Sequence, residues 1–238
     1  MKAIVLVHGA WGGAWVWQRV RAPLLEAGHA VHAVTLTGCG DRAHLRRPGI
    51  DLSVHVQDVV ASIEAEELRD VLLVGHSYGG IVITAAAARL QRERPGLLAG
   101  LVYVDAQLPL PGERWSTLHD PAVRAQREAQ ARANDGALPP PDPSVFGLAG
   151  ADHAWLLRRS VPHPFGAYHD PVDYDEPELA ALPRTYVACT SPVFPTAAPH
   201  HARVRGLPGW RVVEMATGHF PMVTEPARMA AMLADAAR

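Results

Sequence analysis

Val71-Leu72-Leu73-Val74 runs directly into Gly75-His76-Ser77-Tyr78-Gly79, and this junction constrains the fold more than any other stretch of the chain. Four consecutive apolar residues read as a strand buried on both faces, the usual state of a parallel sheet. The residues from 80 to 94 are rich in alanine and end before Pro95-Gly96, which reads as a helix. A strand that turns so sharply into a helix forces Ser77 into a strained backbone conformation and lifts its hydroxyl clear of the sheet. The hydroxyl then stands above a helix N-terminus whose free N–H groups favour an anion. Glycine suits positions 75 and 79 because a Cβ at either would collide with neighbouring backbone. As a bare pattern Gly-x-Ser-x-Gly is common. With a strand before it and a helix after it, the pattern marks Ser77 as a nucleophile.

Around this junction, strand-like and helix-like runs alternate. Strands are expected at 3–7, 30–36, 71–74, 101–105, 184–189 and 211–215, and helices at 14–27, 52–66, 80–94 and 226–237. Val56, Val59, Val60 and Ile63 mark one apolar face of the second helix. This order predicts an α/β fold: a mainly parallel sheet of about six strands flanked by helices, with its chemistry at the carboxyl ends of the strands. A length of 238 residues suits one such domain with an inserted segment. Residues 107–183 break the alternation with a charged helix at 121–134, a proline-rich stretch at 138–143, a further helix at 151–159 and many aromatic and histidine side chains. The division expected is therefore a core of residues 1–106 and 184–238 with a helical cap, 107–183, inserted over the site.

Charge and cysteine usage exclude several classes. The formal net charge is −2, and Lys2 is the only lysine. That balance gives no reason to expect nucleic acid or an anionic membrane surface as partner. No apolar run is long enough to span a bilayer, and the first strand leaves no room for a signal peptide, so a cytoplasmic protein is expected. Cys39 and Cys189 form neither a disulfide framework nor a metal pattern, and read as small buried hydrophobes. The glycines at 9–13 do not form Gly-x-Gly-x-x-Gly, and no Gly-Lys-Ser/Thr is present. The His200-His201 pair and the scattered histidines of 107–183 lack the spacing that puts metal ligands on one face. The expectation is no metal and no cofactor, with a small-molecule substrate as the partner. Self-association into a homo-oligomer stays open.

A serine nucleophile needs a base, an acid that orients the base, and donors for an oxyanion. His219 lies in Thr217-Gly218-His219-Phe220-Pro221-Met222, after the last strand and before the terminal helix, where a loop can reach back to Ser77. His76 is expected to point away from Ser77, and His8 to brace its loop. The acid is commonly sought after the strand at 184–189, yet no Asp or Glu occurs between Arg184 and Arg211. One strand earlier, Leu101-Val102-Tyr103-Val104 ends in Asp105. Adjacent strand ends lie about 5 Å apart, so Asp105 can still serve the far nitrogen of the same imidazole. The oxyanion donors expected are the backbone N–H groups of Tyr78 and of Ala10, the latter in His8-Gly9-Ala10-Trp11-Gly12-Gly13. Trp11, Phe220, Trp115 and Trp155 are the candidate substrate contacts.

These residues resemble the α/β-hydrolase superfamily, within it the small esterase and hydroxynitrile-lyase group that includes plant methyl-ester hydrolases. The likeness runs through Val5-Leu6-Val7-His8-Gly9-Ala10-Trp11, Pro23-Leu24-Leu25-Glu26-Ala27-Gly28-His29, the 75–80 elbow and Gly218-His219-Phe220-Pro221-Met222. Leu36-Thr37-Gly38-Cys39-Gly40-Asp41-Arg42-Ala43-His44 and Leu101-Val102-Tyr103-Val104-Asp105-Ala106 are similar to actinobacterial α/β-fold hydrolases. The resemblance implies the fold, the triad and an ester-cleaving activity. Plant members usually keep the acid after the later strand, whereas a minority of the superfamily, some haloalkane dehalogenases among them, carries it where Asp105 stands. Hydroxynitrile lyases have a lysine where this chain has Phe220 and a threonine where it has Gly9, so cyanide release is not implied.

Three functions fit these residues. The leading one is a serine hydrolase of a carboxylic ester or lactone. The second is C–C bond cleavage, lyase or cyclase chemistry on a polyketide-like metabolite at the same Ser77–His219 pair. The third is a ligand receptor built on a hydrolase scaffold.

Overall fold

The computed structural model describes residues 2–238. The first half alternates strand and helix: β1 (Ala3–Val7), α1 (Gln18–Glu26), β2 (Ala30–Val34), α2 (Leu52–Ala65), β3 (Val71–His76), α3 (Gly79–Glu93) and β4 (Leu98–Val104). The inserted segment carries α4 (Pro121–Ala133), β5 (Ala137–Leu138), α5 (Gly150–Arg159), β6 (His163–Pro164) and α6 (Glu176–Ala180). The chain then returns through β7 (Arg184–Cys189), α7 (Ala198–Arg205), β8 (Trp210–Met215), α8 (Pro221–Thr224) and α9 (Pro226–Ala236).

Six strands form one sheet in the order β2-β1-β3-β4-β7-β8, and every neighbouring pair is parallel. The period-two pleat sorts their side chains into two cores. Val5, Leu73, Leu101 and Tyr186 face α2 and α3, whereas Ile4, Leu72, Val102 and Val187 face α1 and α9. Burial on both sides explains why β1, β3 and β7 are rich in apolar and aromatic residues and poor in charge. β8 closes the sheet as an edge strand, and its Arg211 and Glu214 are exposed. The helix starts follow local chemistry: the Asp51 carboxylate accepts from the Val54 N–H at the head of α2, and Asp120 caps α4 in the same way.

Several boundaries differ from the sequence expectation, for physical reasons. The helix expected over 14–27 begins as a 3-10 turn, Ala14–Trp17, before α1 proper. The strand expected to reach residue 36 ends at Val34, because the Leu36 N–H is taken by Nε2 of His8 at 3.1 Å. β3 continues to His76, since Ser77 N–H still bonds the Val104 carbonyl at 3.2 Å. The inserted segment is mainly helical but also contains the antiparallel β5–β6 pair. Its side chains join both cores, with Trp115, Leu138 and Tyr168 in one and Phe146, Trp155 and Leu156 in the other.

Candidate active site

The strand register places the site. Gly75 lies opposite Tyr103 and His76 opposite Val104, so Ser77 and Asp105 leave the sheet side by side. A Cβ on Gly75 would meet the Gly79 carbonyl oxygen at 2.5 Å, and one on Gly79 would meet the Val7 and His8 oxygens at 2.8 Å. Glycine at both positions lets the elbow close, and Ser77 takes the left-handed conformation at its apex, with φ +53°. Ser77 is half-buried.

The loop after β8 brings His219 to this point. Its Nε2 lies 3.0 Å from Ser77 Oγ, and its Nδ1 lies 2.6 Å from Asp105 Oδ2. His219 and Asp105 are buried at 2% and 1% exposure, which shields the pair from competing water. Burial alone would raise the Asp105 pKa. Hydrogen bonds from His201, His219 and the Cys189 N–H instead hold the carboxyl well below the usual carboxylate range. Carboxylate, imidazole and hydroxyl stand in line, an arrangement that can relay a proton.

Around the relay, backbone and aromatic groups complete the site. Tyr78 follows Ser77 directly and Ala10 follows Gly9, which packs on the Ser77 side chain, and neither of their N–H groups donates to another acceptor among the described residues. The Tyr78 ring is fixed below by its hydroxyl, which donates to Nδ1 of His55 at 2.9 Å. His8 spans the Ala10 loop: Nδ1–H donates to the Gly9 carbonyl at 2.7 Å, while burial lowers its pKa to about 4. His76 turns away from Ser77 and donates through Nε2 to the His219 carbonyl at 2.8 Å, which fixes the loop that carries the base.

The four expected substrate contacts fall in different places. Trp11 lines a cavity of about 320 Å³ together with Arg127, Phe146 and Phe194. Trp115 is buried against the Tyr78 ring, 4.6 Å between centroids. Phe220 packs behind the base, 4.7 Å from His76 and 5.4 Å from His219. Trp155 stands edge-on to Trp15 at 5.0 Å, with the guanidinium groups of Arg19 and Arg159 over its faces. The structure adds residues that the sequence reading passed over. Phe146 stacks on the His219 ring at 5.5 Å and Phe194 approaches it at 4.3 Å. Arg127 of α4 lies over both Trp11 and Trp115, and His201 of α7 reaches Asp105 Oδ1 at 2.6 Å.

Larger hollows of about 430 to 560 Å³ lie elsewhere, among them one beside α2 and α3 and one under Trp210; neither they nor the Trp11 cavity are lined by Ser77, His219 or Asp105, and only the Trp11 cavity adjoins the His219 ring, through Phe146 and Phe194. Among the described residues no group of three or more His, Cys, Asp or Glu could hold a metal ion, and both cysteines are free and buried. No helix among them is long and apolar enough to cross a membrane.

A parallel sheet with a serine elbow after its third strand, and a histidine loop after its last, defines the α/β-hydrolase fold. Residues 4–232 match the model of the Alpha/beta hydrolase family, and the chain belongs to that family. It is 38% identical to the carbendazim hydrolyzing esterase of Nocardioides sp. over 98% of this chain and 99% of that one. It is 30% identical to the pyrethroid hydrolase of Sphingobium wenxiniae, over 98% of this chain and 86% of the other. Among solved structures, an extracellular alpha/beta-hydrolase from a Paenibacillus species superposes with a TM-score of 0.82 at 24% identity, covering 100% of both chains. A pyrethroid hydrolase from Sphingobium faniae gives 0.73 at 26% identity, over 99% of this chain and 97% of that one. The chain is a hydrolase of the esterase type.

Proposed function

We propose that this protein cleaves a carboxylic ester or lactone of a small apolar or aromatic molecule through an acyl-Ser77 intermediate. The observation that carries the reading is the relay itself, Asp105 to His219 at 2.6 Å and His219 to Ser77 at 3.0 Å. In this reading Ser77 Oγ attacks the carbonyl carbon while its proton passes to His219 Nε2. The tetrahedral oxyanion is held by the Ala10 and Tyr78 N–H groups. His219 then protonates the leaving alkoxide, and Asp105 stabilises the imidazolium between the two transfers. Water repeats the sequence on the acyl-enzyme.

The aromatic walls support the substrate class. Trp11, Phe146 and Phe194 line the cavity beside the base, and an aromatic or apolar group fits such walls better than a strongly hydrated one. The segment 107–183 serves as a cap: it supplies Phe146 to the base and Arg127 to the cavity wall. The relatives that hydrolyse carbendazim and pyrethroids match nearly the whole of this chain and fit the same class. A cytoplasmic home fits the two unpaired cysteines, and cell fractionation tests it.

A panel of aryl esters and lactones of varied acyl length, run on wild type beside Ser77→Ala, tests the function. Wild type should release a burst of chromophore from an acetate ester, and an organophosphonate should label Ser77 alone. Labelling that persists in Ser77→Ala would sink the proposal. Failure to cleave any ester or lactone of the panel, with turnover of a carbon-linked diketone analogue instead, would favour C–C bond chemistry.

A further inference from the structure

We infer that His201 is a fourth member of the relay, a positioning residue that keeps Asp105 ionised and aimed at His219. The inference rests on the esterase reading for its kinetic test but on geometry for its substance. The Asp105 side chain is 0% exposed and that of His201 only 5%. A carboxylate so enclosed keeps its charge only if donors occupy its lone pairs. Oδ2 accepts from His219 Nδ1–H at 2.6 Å. Oδ1 accepts from His201 Nε2–H at 2.6 Å and from the Cys189 N–H at 3.0 Å. Two imidazoles on opposite oxygens stop the carboxylate from turning about its last torsion. Without His201, Oδ1 would keep one neutral backbone donor and Oδ2 could swing away from the base.

The carrier helix is held for this task. The His201 backbone N–H bonds the Ala197 carbonyl at 3.1 Å, and its ring meets the Tyr186 ring edge-on at 5.8 Å. Arg203 ties α7 to the chain just past Asp105, donating to the Leu108 carbonyl at 2.7 Å and pairing with Glu113. The neighbouring His200 accepts the Leu108 N–H through Nδ1 at 3.3 Å. The connection between β7 and β8 contains no carboxylate; it brings a donor to an acid one strand away.

The sign of the electrostatic effect follows from what faces the pair. β4 contributes Asp105; β7 contributes Tyr186 and Cys189; the loop after β8 contributes His219 with His76 behind it. On α7 itself, Arg205 is turned to Glu214 and to the His201 carbonyl, and His200 faces Leu108. Without the donor on Oδ1, Asp105 takes up a proton more readily and turns from His219, so the negative charge facing the imidazole is lost and the acid limb of the rate profile moves to lower pH.

The experiment compares His201→Phe, which keeps a ring but no donor, with His201→Gln, which restores a donor near the Nε2 position. His201→Phe should lower kcat about 10- to 100-fold, the worth of a hydrogen bond to a charged group, with KM nearly unchanged. Its acid limb should shift downward, and His201→Gln should recover most of kcat and the wild-type limb. In wild-type protein, proton spectra of nitrogen-15-labelled histidine should show two strongly downfield ring N–H resonances, one of which disappears in His201→Gln. The inference is overturned if His201→Phe keeps the wild-type kcat and limb. It is overturned equally if His201→Gln is as slow as His201→Phe, or if wild type shows only one such resonance. Should His201→Phe not fold, His201→Gln and the wild-type spectrum still decide. Should wild type turn over no ester and escape phosphonate labelling, the proposed function fails while the spectrum decides this inference separately.

Discussion

Three non-glycine residues at the site have left-handed backbone: Ser77 with φ +53°, Asp105 with +43° and Trp11 with +63°. Ser77 and Asp105 sit where a strand has just ended and Trp11 in the loop after β1, places where a side chain or N–H must be aimed at one point and where backbone strain concentrates in enzymes. Asp tolerates this conformation better than most residues, and Asn tolerates it as well. Asp105→Asn therefore tests the chemistry with little disturbance of the backbone. The amide cannot accept from both His219 and His201 through its two ends, so one imidazole is left with the wrong tautomer or without a partner. We expect kcat to fall about 10⁴-fold, as for the equivalent change in other serine triads, with the far-UV spectrum unchanged. Activity within tenfold of wild type would remove Asp105 from the relay.

At the scale of elements, the elbow joins β1, β3 and α3 through backbone contacts that admit no side chain. Gly79→Ala would bring a Cβ to 2.8 Å from two carbonyl oxygens of the Val7–His8 turn. The expected loss is about 1–3 kcal/mol or more, read as a lower urea midpoint at unchanged slope, and a variant as stable as wild type would refute the packing argument. This element was legible in the sequence because its constraints are local: an apolar run, a glycine-flanked serine and an alanine-rich helix. Asp105 was legible for the same reason, as the only carboxylate at a strand end. α7 was not. Val204 is its one buried aliphatic side chain, so no helical stripe announces it, and its place depends on Arg203 reaching Glu113 far away in sequence. The role of His201 is hidden with it, although a segment empty of carboxylates that carries two adjacent histidines was the available signal. The aromatic content of the insertion was legible, but which ring meets the base was not, because Phe146 reaches His219 only through tertiary packing. Arg127 of α4 is a further case, with its guanidinium 5.6 Å from the Trp11 ring and 5.5 Å from Trp115. Arg127→Gln should free Trp11 in the cavity wall, raise KM for aromatic esters and leave kcat in place. A fall in kcat at constant KM would place Arg127 outside the binding surface.

The whole molecule carries a stability consequence of its buried histidines. His8, His55, His76, His119, His163 and His200 are all buried, and burial lowers the pKa of each. His8 and His200 fall to about 4 and His119 to about 3. Their folded pKa values lie below the unfolded value of about 6.5. Between the two, the unfolded chain binds protons that the folded chain does not, so stability is complete above about pH 6.5 and is lost as the pH falls. Each such histidine weakens the fold by about 1.4 kcal/mol per pH unit in that window. The three that fall to about 3 or 4 act together over that window, so against a typical total of about 5–15 kcal/mol acid unfolding begins well above the range where carboxylates titrate. Urea midpoints measured between pH 7.5 and 5.5 should fall steeply, and unfolding at pH 5.5 should take up several protons. His119→Phe gives the single-residue version: its ring is packed against Tyr168 and Trp115, and its Nε2 has no partner among the described residues. That variant should flatten the slope by about 1.4 kcal/mol per pH unit below pH 6.5, whereas a wild-type midpoint that stays constant down to pH 5.5 would show that the interior admits these charges without unfolding.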